Sequence, residues 1–308
     1  MKKIIGLLLA ALMVFALCSC GGEKADGIRV VTTIFPQYDL VRQILGDDGS
    51  VQMLVTPGSE SHFYEPTIKD IAAIKNADLF IYVGEETDGW AKEAIEAIGG
   101  GVKTIKLTDI IEPLEQTELE GAEHSHSHDQ TAYDEHVWTS PINAIKILEE
   151  IKIKLKEVAP EKSAEFEKRA GNYKNEILGI HNDINLALES ADTKTLVFAD
   201  RFAFRYFANE YSLECYAAFS GCSSESEPTL ETVKFLVDKV KSEKLPAVII
   251  TEQTTGSVAQ SIAGAAGVKM LTLHSCHNVT KEQLKNGVTY AELMRGNAEV
   301  IKEALGCH

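Results

Sequence analysis

Positive charge, cysteine and long apolar runs are all scarce in this chain of 308 residues. Its 30 Lys and Arg face 46 Asp and Glu, and the resulting formal charge of -16 would repel the phosphates of nucleic acids and of anionic lipids. Of the six cysteines, the four beyond residue 20 are too widely spaced for a small disulfide scaffold, and no CxxC pairing indicates a zinc ribbon. We therefore expect no nucleic-acid partner and a globular body large enough for two domains.

The N-terminus has the features of an export signal. Lys2 and Lys3 precede an apolar run over residues 4–17, which is too short to cross a bilayer as a mature helix. Small residues and two glycines flank Cys20, a pattern that resembles the lipobox of bacterial lipoproteins. We expect cleavage of residues 1–19, a lipid on Cys20 and a tether over 20–27; an uncleaved anchor is the alternative. The mature protein, with a charge of about -18, would lie outside the cytoplasm, lipid-anchored to the outer face of the cell membrane.

After the tether, short aliphatic runs alternate with amphipathic stretches, which predicts an α/β fold with mostly parallel sheets flanked by helices. The alternation forms two lobes, over 28–160 and 191–308. Between them, residues 161–190 contain no proline and read as one long linking helix. A peripheral helix on one lobe is the alternative. The helix is predicted from a single apolar stripe: Phe166, Ala170, Tyr173, Ile177, Ile180, Ile184 and Ala187.

Three histidines follow predicted strands, at the edge where open α/β sheets bind their ligands. His62 lies between a strand and a proline-started helix, His136 lies at the end of the first lobe, and His274 ends a strand of the second. Each alone is as readily a solvated loop residue, but together they could converge on one cation in a cleft between the lobes.

Four motifs carry a resemblance to a known family: Gly58-x-Glu-Ser-His62-x-Tyr-Glu-Pro-Thr67, Asp134-Glu-His136-Val-Trp138, Phe204-Arg-Tyr-Phe-Ala208 and Glu227-Pro228. They resemble the zinc and manganese solute-binding lipoproteins of ABC transporters over nearly the whole mature chain. The resemblance implies a metal ion held between two lobes, delivery of that ion to a membrane permease, action as a monomer and no catalysis. It also implies that His62 and His136 are the metal ligands of the first lobe.

The chain departs from the family at the third ligand, where Arg201 stands in place of His or Glu. A guanidinium has no lone pair to give, so Asp200, another residue or no residue takes this place. The fourth family position falls on His274, and Cys276 and His277 beside it are further donors. Weaker candidates follow other strands: Cys222 and Glu252.

Imidazole ligands favour Zn²⁺, although Mn²⁺ or another divalent ion stays open. Because the imidazoles must be neutral, affinity should fall as the pH drops below about 6.5. One disulfide, for example between Cys222 and Cys276, is an alternative to free thiols.

Two other classes of function fit parts of the sequence. A metallohydrolase is one, because three protein ligands leave a position where zinc could activate water; however, the chain contains no HExxH and no GxSxG motif. A surface adhesion lipoprotein is the other, and it would need an exposed apolar patch.

The acidic loop over 112–135 carries alternate histidines, His124, His126 and His128, which could hold a metal ion loosely. We predict that they collect ions for the cleft; a solvated loop without this role is the alternative. Deletion of residues 123–129 should then remove one weak event from a calorimetric zinc titration and leave the tight event unchanged. A titration with the same two events would contradict the prediction.

Overall fold

Two parallel sheets of four strands each form the framework of the protein. The computed structural model describes residues 27–59, 64–116, 118–122, 133–221, 228–252, 254 and 256–307. The first sheet has the order β2-β1-β3-β4 and the second has the order β6-β5-β7-β8. The prediction of two α/β lobes with parallel sheets is confirmed. The strands are β1 (Ile28–Thr32), β2 (Gly49–Met53), β3 (Leu79–Tyr82), β4 (Lys103–Lys106), β5 (Thr195–Arg201), β6 (Glu214–Phe219), β7 (Ala247–Ile250) and β8 (Lys269–Thr272).

Helices connect the strands and fill the space between the sheets. The sequence did not predict the short helix α9 or the 3-10 turns, such as the turn at Val137–Thr139. Among the described helices, none is both long and apolar enough to span a membrane. The helices are α1 (Phe35–Leu45), α2 (Ile68–Lys75), α3 (Trp90–Ala97), α4 (Pro141–Val158), α5 (Ser163–Glu189), α6 (Arg205–Tyr211), α7 (Leu230–Ser242), α8 (Ser257–Ala266), α9 (Lys281–Lys285) and α10 (Tyr290–Ala304).

The long linking helix is present as α5, with 27 residues and a length of about 40 Å. All seven residues of its predicted apolar stripe are buried. The helix belongs to the same central core as residues from both sheets, so it is not peripheral to one lobe.

Successive residues of the central strands enter different cores, because side chains alternate across a sheet. Val30 and Ile81 lie in the central core, whereas their neighbours Val31 and Phe80 lie in a separate cluster under α2 and α3. In the second sheet Phe198 likewise faces the central core and Val197 the outer one. Both faces of each sheet are therefore covered, which explains the continuous apolar runs of these strands.

The two lobes have the same strand topology. Their sheets share a strand order, and the helices that follow the edge strands β2 and β6 begin in the same way. Thr67 caps α2 by accepting a hydrogen bond from the amide of Asp70, and Thr229 caps α7 in the same manner. A proline precedes each threonine. The loops that contain His62 and Cys222 in the sequence are thus equivalent in topology.

The lobes and α5 meet at the carboxylate of Asp39, which is fully buried in α1. Its Oδ2 accepts hydrogen bonds from the hydroxyl of Tyr173 in α5 (2.5 Å) and from the amide of Tyr290 in α10 (2.8 Å). Its Oδ1 pairs with Arg42 at 2.5 Å, and Arg42 also donates to the carbonyl of Val288. Burial, followed by the charge of Asp39, raises the pKa of Tyr173, so the phenol stays protonated and donates.

Replacement of Asp39 by asparagine should lower the free energy of unfolding by about 2–4 kcal/mol, since it removes a buried charge from donors that remain. Urea denaturation followed by circular dichroism measures the loss. Asp109, an exposed partner of Lys106, provides a matched control: D109N should change stability by less than about 0.5 kcal/mol. Equal effects of D39N and D109N would contradict this account of the junction.

Candidate metal site

Several candidate residues lie outside the described part of the chain. These are His62, Cys222, the loop histidines His124, His126 and His128, and the predicted lipidation site Cys20. The candidates within the described part are His136, His274, His277, Asp200, Glu252 and Cys276.

His136 is buried, and its backbone is fixed at the start of the 3-10 turn Val137–Thr139. The Oδ1 atom of Asp134 accepts a hydrogen bond from its amide at 2.8 Å and lies 3.1 Å from its Nδ1. A carboxylate at Nδ1 favours the proton there, which places the lone pair on Nε2. Burial opposes ionisation of Asp134, but His136 and then Arg205 hold its pKa below the ordinary value. Asp134 thus fixes the orientation of the His136 imidazole.

Residues of the second lobe support this segment, which explains the Phe204–Ala208 motif. The hydroxyl of Tyr206 donates to the carbonyl of Asp134 at 2.8 Å and accepts from the amide of Leu114 at 3.1 Å. The guanidinium of Arg205 lies 3.8 Å from the Asp134 carboxylate. Helix α6 therefore holds the His136 segment in place from across the lobe junction.

His277 lies beside His136, with ring centroids 5.7 Å apart and the rings nearly perpendicular. Both side chains are buried, and the Trp138 ring packs against both, at 5.4 Å from His136 and 5.1 Å from His277. The indole of Trp138 donates to the carbonyl of Ser275 at 2.9 Å. The structure therefore brings together an imidazole from the first lobe and one that follows the last strand of the second.

His274 is held by its own lobe. Its amide donates to the side chain of Asn297, which donates back to the carbonyl of His274, both at 2.7 Å. Its Nδ1 accepts from the amide of Cys276 at 3.0 Å and lies 3.5 Å from Oε1 of Glu252. Burial lowers the pKa of His274 although the Glu252 carboxylate opposes this, so the imidazole is neutral.

Glu252 and Cys276 organise the segment around His274. The two carboxylate oxygens of Glu252 accept hydrogen bonds from the amide of Ser275 (2.8 Å) and from its hydroxyl (2.7 Å). Cys276 is a buried free thiol whose pKa burial raises well above the ordinary value. Glu252 thus has a structural role, because both of its oxygens hold Ser275. Cys276 is a neutral thiol.

Asp200 precedes Arg201, which stands at the third family position. Its carboxylate accepts hydrogen bonds from the amide (3.2 Å) and hydroxyl (2.6 Å) of Thr251. Arg201 is the last residue of β5, where the pairing with β6 is irregular. Over the described ranges, no three His, Cys, Asp or Glu side chains form a group that could hold an ion. His62, the remaining candidate ligand from the sequence, lies outside these ranges.

Known proteins resemble this chain over nearly its full length. The zinc-binding lipoprotein AdcA of Streptococcus pneumoniae serotype 4 is 34% identical over 98% of this chain, which covers 61% of that protein. The chain thus spans about three fifths of the length of the first curated relatives that it matches. The high-affinity zinc uptake system protein ZnuA of Bacillus subtilis is 30% identical, over 99% of this chain and 98% of that one.

A solved structure agrees with these relatives. The Zn(II)-bound ZnuA-like domain of Streptococcus pneumoniae AdcA superposes with a TM-score of 0.75 at 31% identity, and the match covers 91% of this chain and 99% of that one. The family model for the periplasmic component A of zinc-uptake complexes, ZnuA, matches residues 30–304. This match, the relatives and the shared two-lobe fold establish that the chain belongs to the ZnuA family.

Proposed function

We propose that this protein captures Zn²⁺ outside the cytoplasm and delivers it to an ABC permease. The observation that carries the proposal is the meeting of two buried imidazoles, His136 and His277, from the two lobes. Its family supports it, since one relative is named a zinc-binding lipoprotein and another a high-affinity zinc uptake protein. A Zn(II)-bound neighbour shares the fold.

The ligand set that we propose is His62 and His136 from the first lobe and one imidazole from residues 274–277 of the second. The geometry favours His277 for the last place, because its ring faces His136, whereas Nδ1 of His274 is occupied by the amide of Cys276. Nitrogen donors suit Zn²⁺ better than Mn²⁺. We assign no coordination to Arg201, which has no lone pair to give, or to Asp200, which binds Thr251.

The neighbouring carboxylates argue for transport rather than hydrolysis. A zinc hydrolase needs a carboxylate or imidazole to move protons at the metal-bound water. Glu252 is bonded to Ser275 through both oxygens, and Asp134 is bonded to His136. Since these groups position ligands, we propose that the protein is not an enzyme. Adhesion, the other sequence hypothesis, is supported by one solved neighbour of the same fold, a laminin-binding adhesin of Streptococcus agalactiae that is 26% identical to this chain.

The remaining sequence predictions fit the same proposal. A lipid on Cys20 would hold a monomeric protein close to its permease, and the loop histidines would raise the local concentration of zinc. The boundaries 28–160, 161–190 and 191–308 separate the first lobe, the linking helix and the second lobe in this proposal.

Purified protein should contain about one zinc ion per chain, and added Zn²⁺ should stabilise it, because an ion that binds the folded state shifts unfolding by mass action. At 1,000 times the dissociation constant the gain is about 4 kcal/mol. Metal analysis and thermal unfolding with Zn²⁺ or Mn²⁺ measure both effects, and Mn²⁺ should stabilise less. An unfolding midpoint that does not respond to Zn²⁺ would contradict the proposal.

The substitutions H136A and H277A should each weaken zinc binding by more than about 100-fold, beyond the loss usual for groups that support a ligand. H274A should cost less, because we assign no coordination to that ring. Competition with a zinc chelator measures the affinities. H181A controls for loss of an imidazole elsewhere: His181 lies on α5 and pairs with Glu210 of α6. A larger loss in H274A than in H277A would assign the ligand to His274 instead.

A further inference from the structure

The segment Ser275–Asn278 belongs to the second lobe, where Ser275 donates to Glu252, but it is also bonded to the first lobe. The carbonyl of Ser275 accepts from Trp138, and the carbonyl of His277 accepts from the amide of Phe35 at 3.3 Å. The third connection is the side chain of Asn278. Every one of these connections crosses from the loop after β8 to the lobe that contributes His136.

Asn278 makes the most extensive of these connections. Its Nδ2 donates to the carbonyl of Thr56 at 2.9 Å and to that of Ser59 at 2.8 Å. Its Oδ1 accepts from the amide of Val279 at 2.8 Å, which fixes the orientation of the amide group. Asn278 is 2% exposed, so its amide group depends on these protein acceptors rather than on water.

The two loops that Asn278 joins are both part of the proposed metal site. Asn278 directly follows His277, and Ser59 lies three residues before His62 in the sequence. We propose that Asn278 is a positioning residue for the metal: through its bonds to Thr56 and Ser59 it holds His277 on the first lobe, opposite His136. The inference rests on the proposed function, and it names the group that sets the geometry of the site.

Asn297 offers a matched comparison. It is also 2% exposed, and its side chain also bonds to the loop after β8, but its partners His274 and Met294 lie within the second lobe. If the second lobe positions His277, loss of Asn297 should harm metal binding at least as much as loss of Asn278. If the first lobe positions it, Asn278 should matter more.

The test compares full-length N278A and N297A with the wild type. Thermal unfolding of the apoprotein should show that both variants fold with a lowered midpoint. Chelator competition should show a dissociation constant for Zn²⁺ raised about 10–100-fold in N278A, the range for groups that orient metal ligands, and less than about 3-fold in N297A. With saturating Co²⁺, the visible absorption of N278A should differ from that of the wild type, which a loss of stability alone would not produce. If N278A does not fold, N278S takes its place.

Two results would overturn the inference: wild-type affinity and cobalt spectrum in the Asn278 variant, or a loss of affinity in N297A equal to or greater than that in N278A. Both are distinct from failure of the proposed function, in which the wild-type protein itself would not bind Zn²⁺ tightly.

Discussion

The carboxylate of Asp39 fixes how the two lobes sit on the long helix. A buried charge is unfavourable unless donors surround it, and here they come from α1, α5 and the first residue of α10. The position at the N-terminus of α10 adds a favourable interaction with the helix dipole. Because each donor belongs to a different part of the chain, the carboxylate is satisfied in one arrangement of the lobes. The relative positions of the loops at the proposed metal site follow from that arrangement.

The site shows the same reciprocity at shorter range. Tyr206 and Arg205, from the second lobe, hold the segment of His136, whereas Trp138, Phe35 and the Thr56–Ser59 turn, from the first lobe, hold the segment of His277. Each imidazole is thus supported by the lobe to which it does not belong. A change in the angle between the lobes would therefore separate each imidazole from part of its support, so the distance between the two rings depends on that angle.

The sequence predicted the framework well, because it depends on local patterns. Apolar runs gave all eight strands, and the stripe from Phe166 to Ala187 gave α5. The sequence predicted His136 as a candidate but not the role of Asp134. An aspartate two residues before a histidine can point in several directions, and only the fold decides among them. The bond between Asn278 and Ser59 joins residues more than 200 positions apart. No pattern in the sequence predicts this bond, so it is seen only in the folded chain.

The backbone between His274 and His277 does not continue the strand β8. A strand that continued past Thr272 would alternate its side chains and give no reason to prefer His277. Cys276 instead adopts a φ of 60°, which is uncommon for a residue other than glycine and turns the chain toward the first lobe. The bonds from Phe35 and Asn278 lie directly after this turn, and their free energy offsets its strain. The contacts that hold His277 beside His136 are therefore also those that make the turn at Cys276 tolerable.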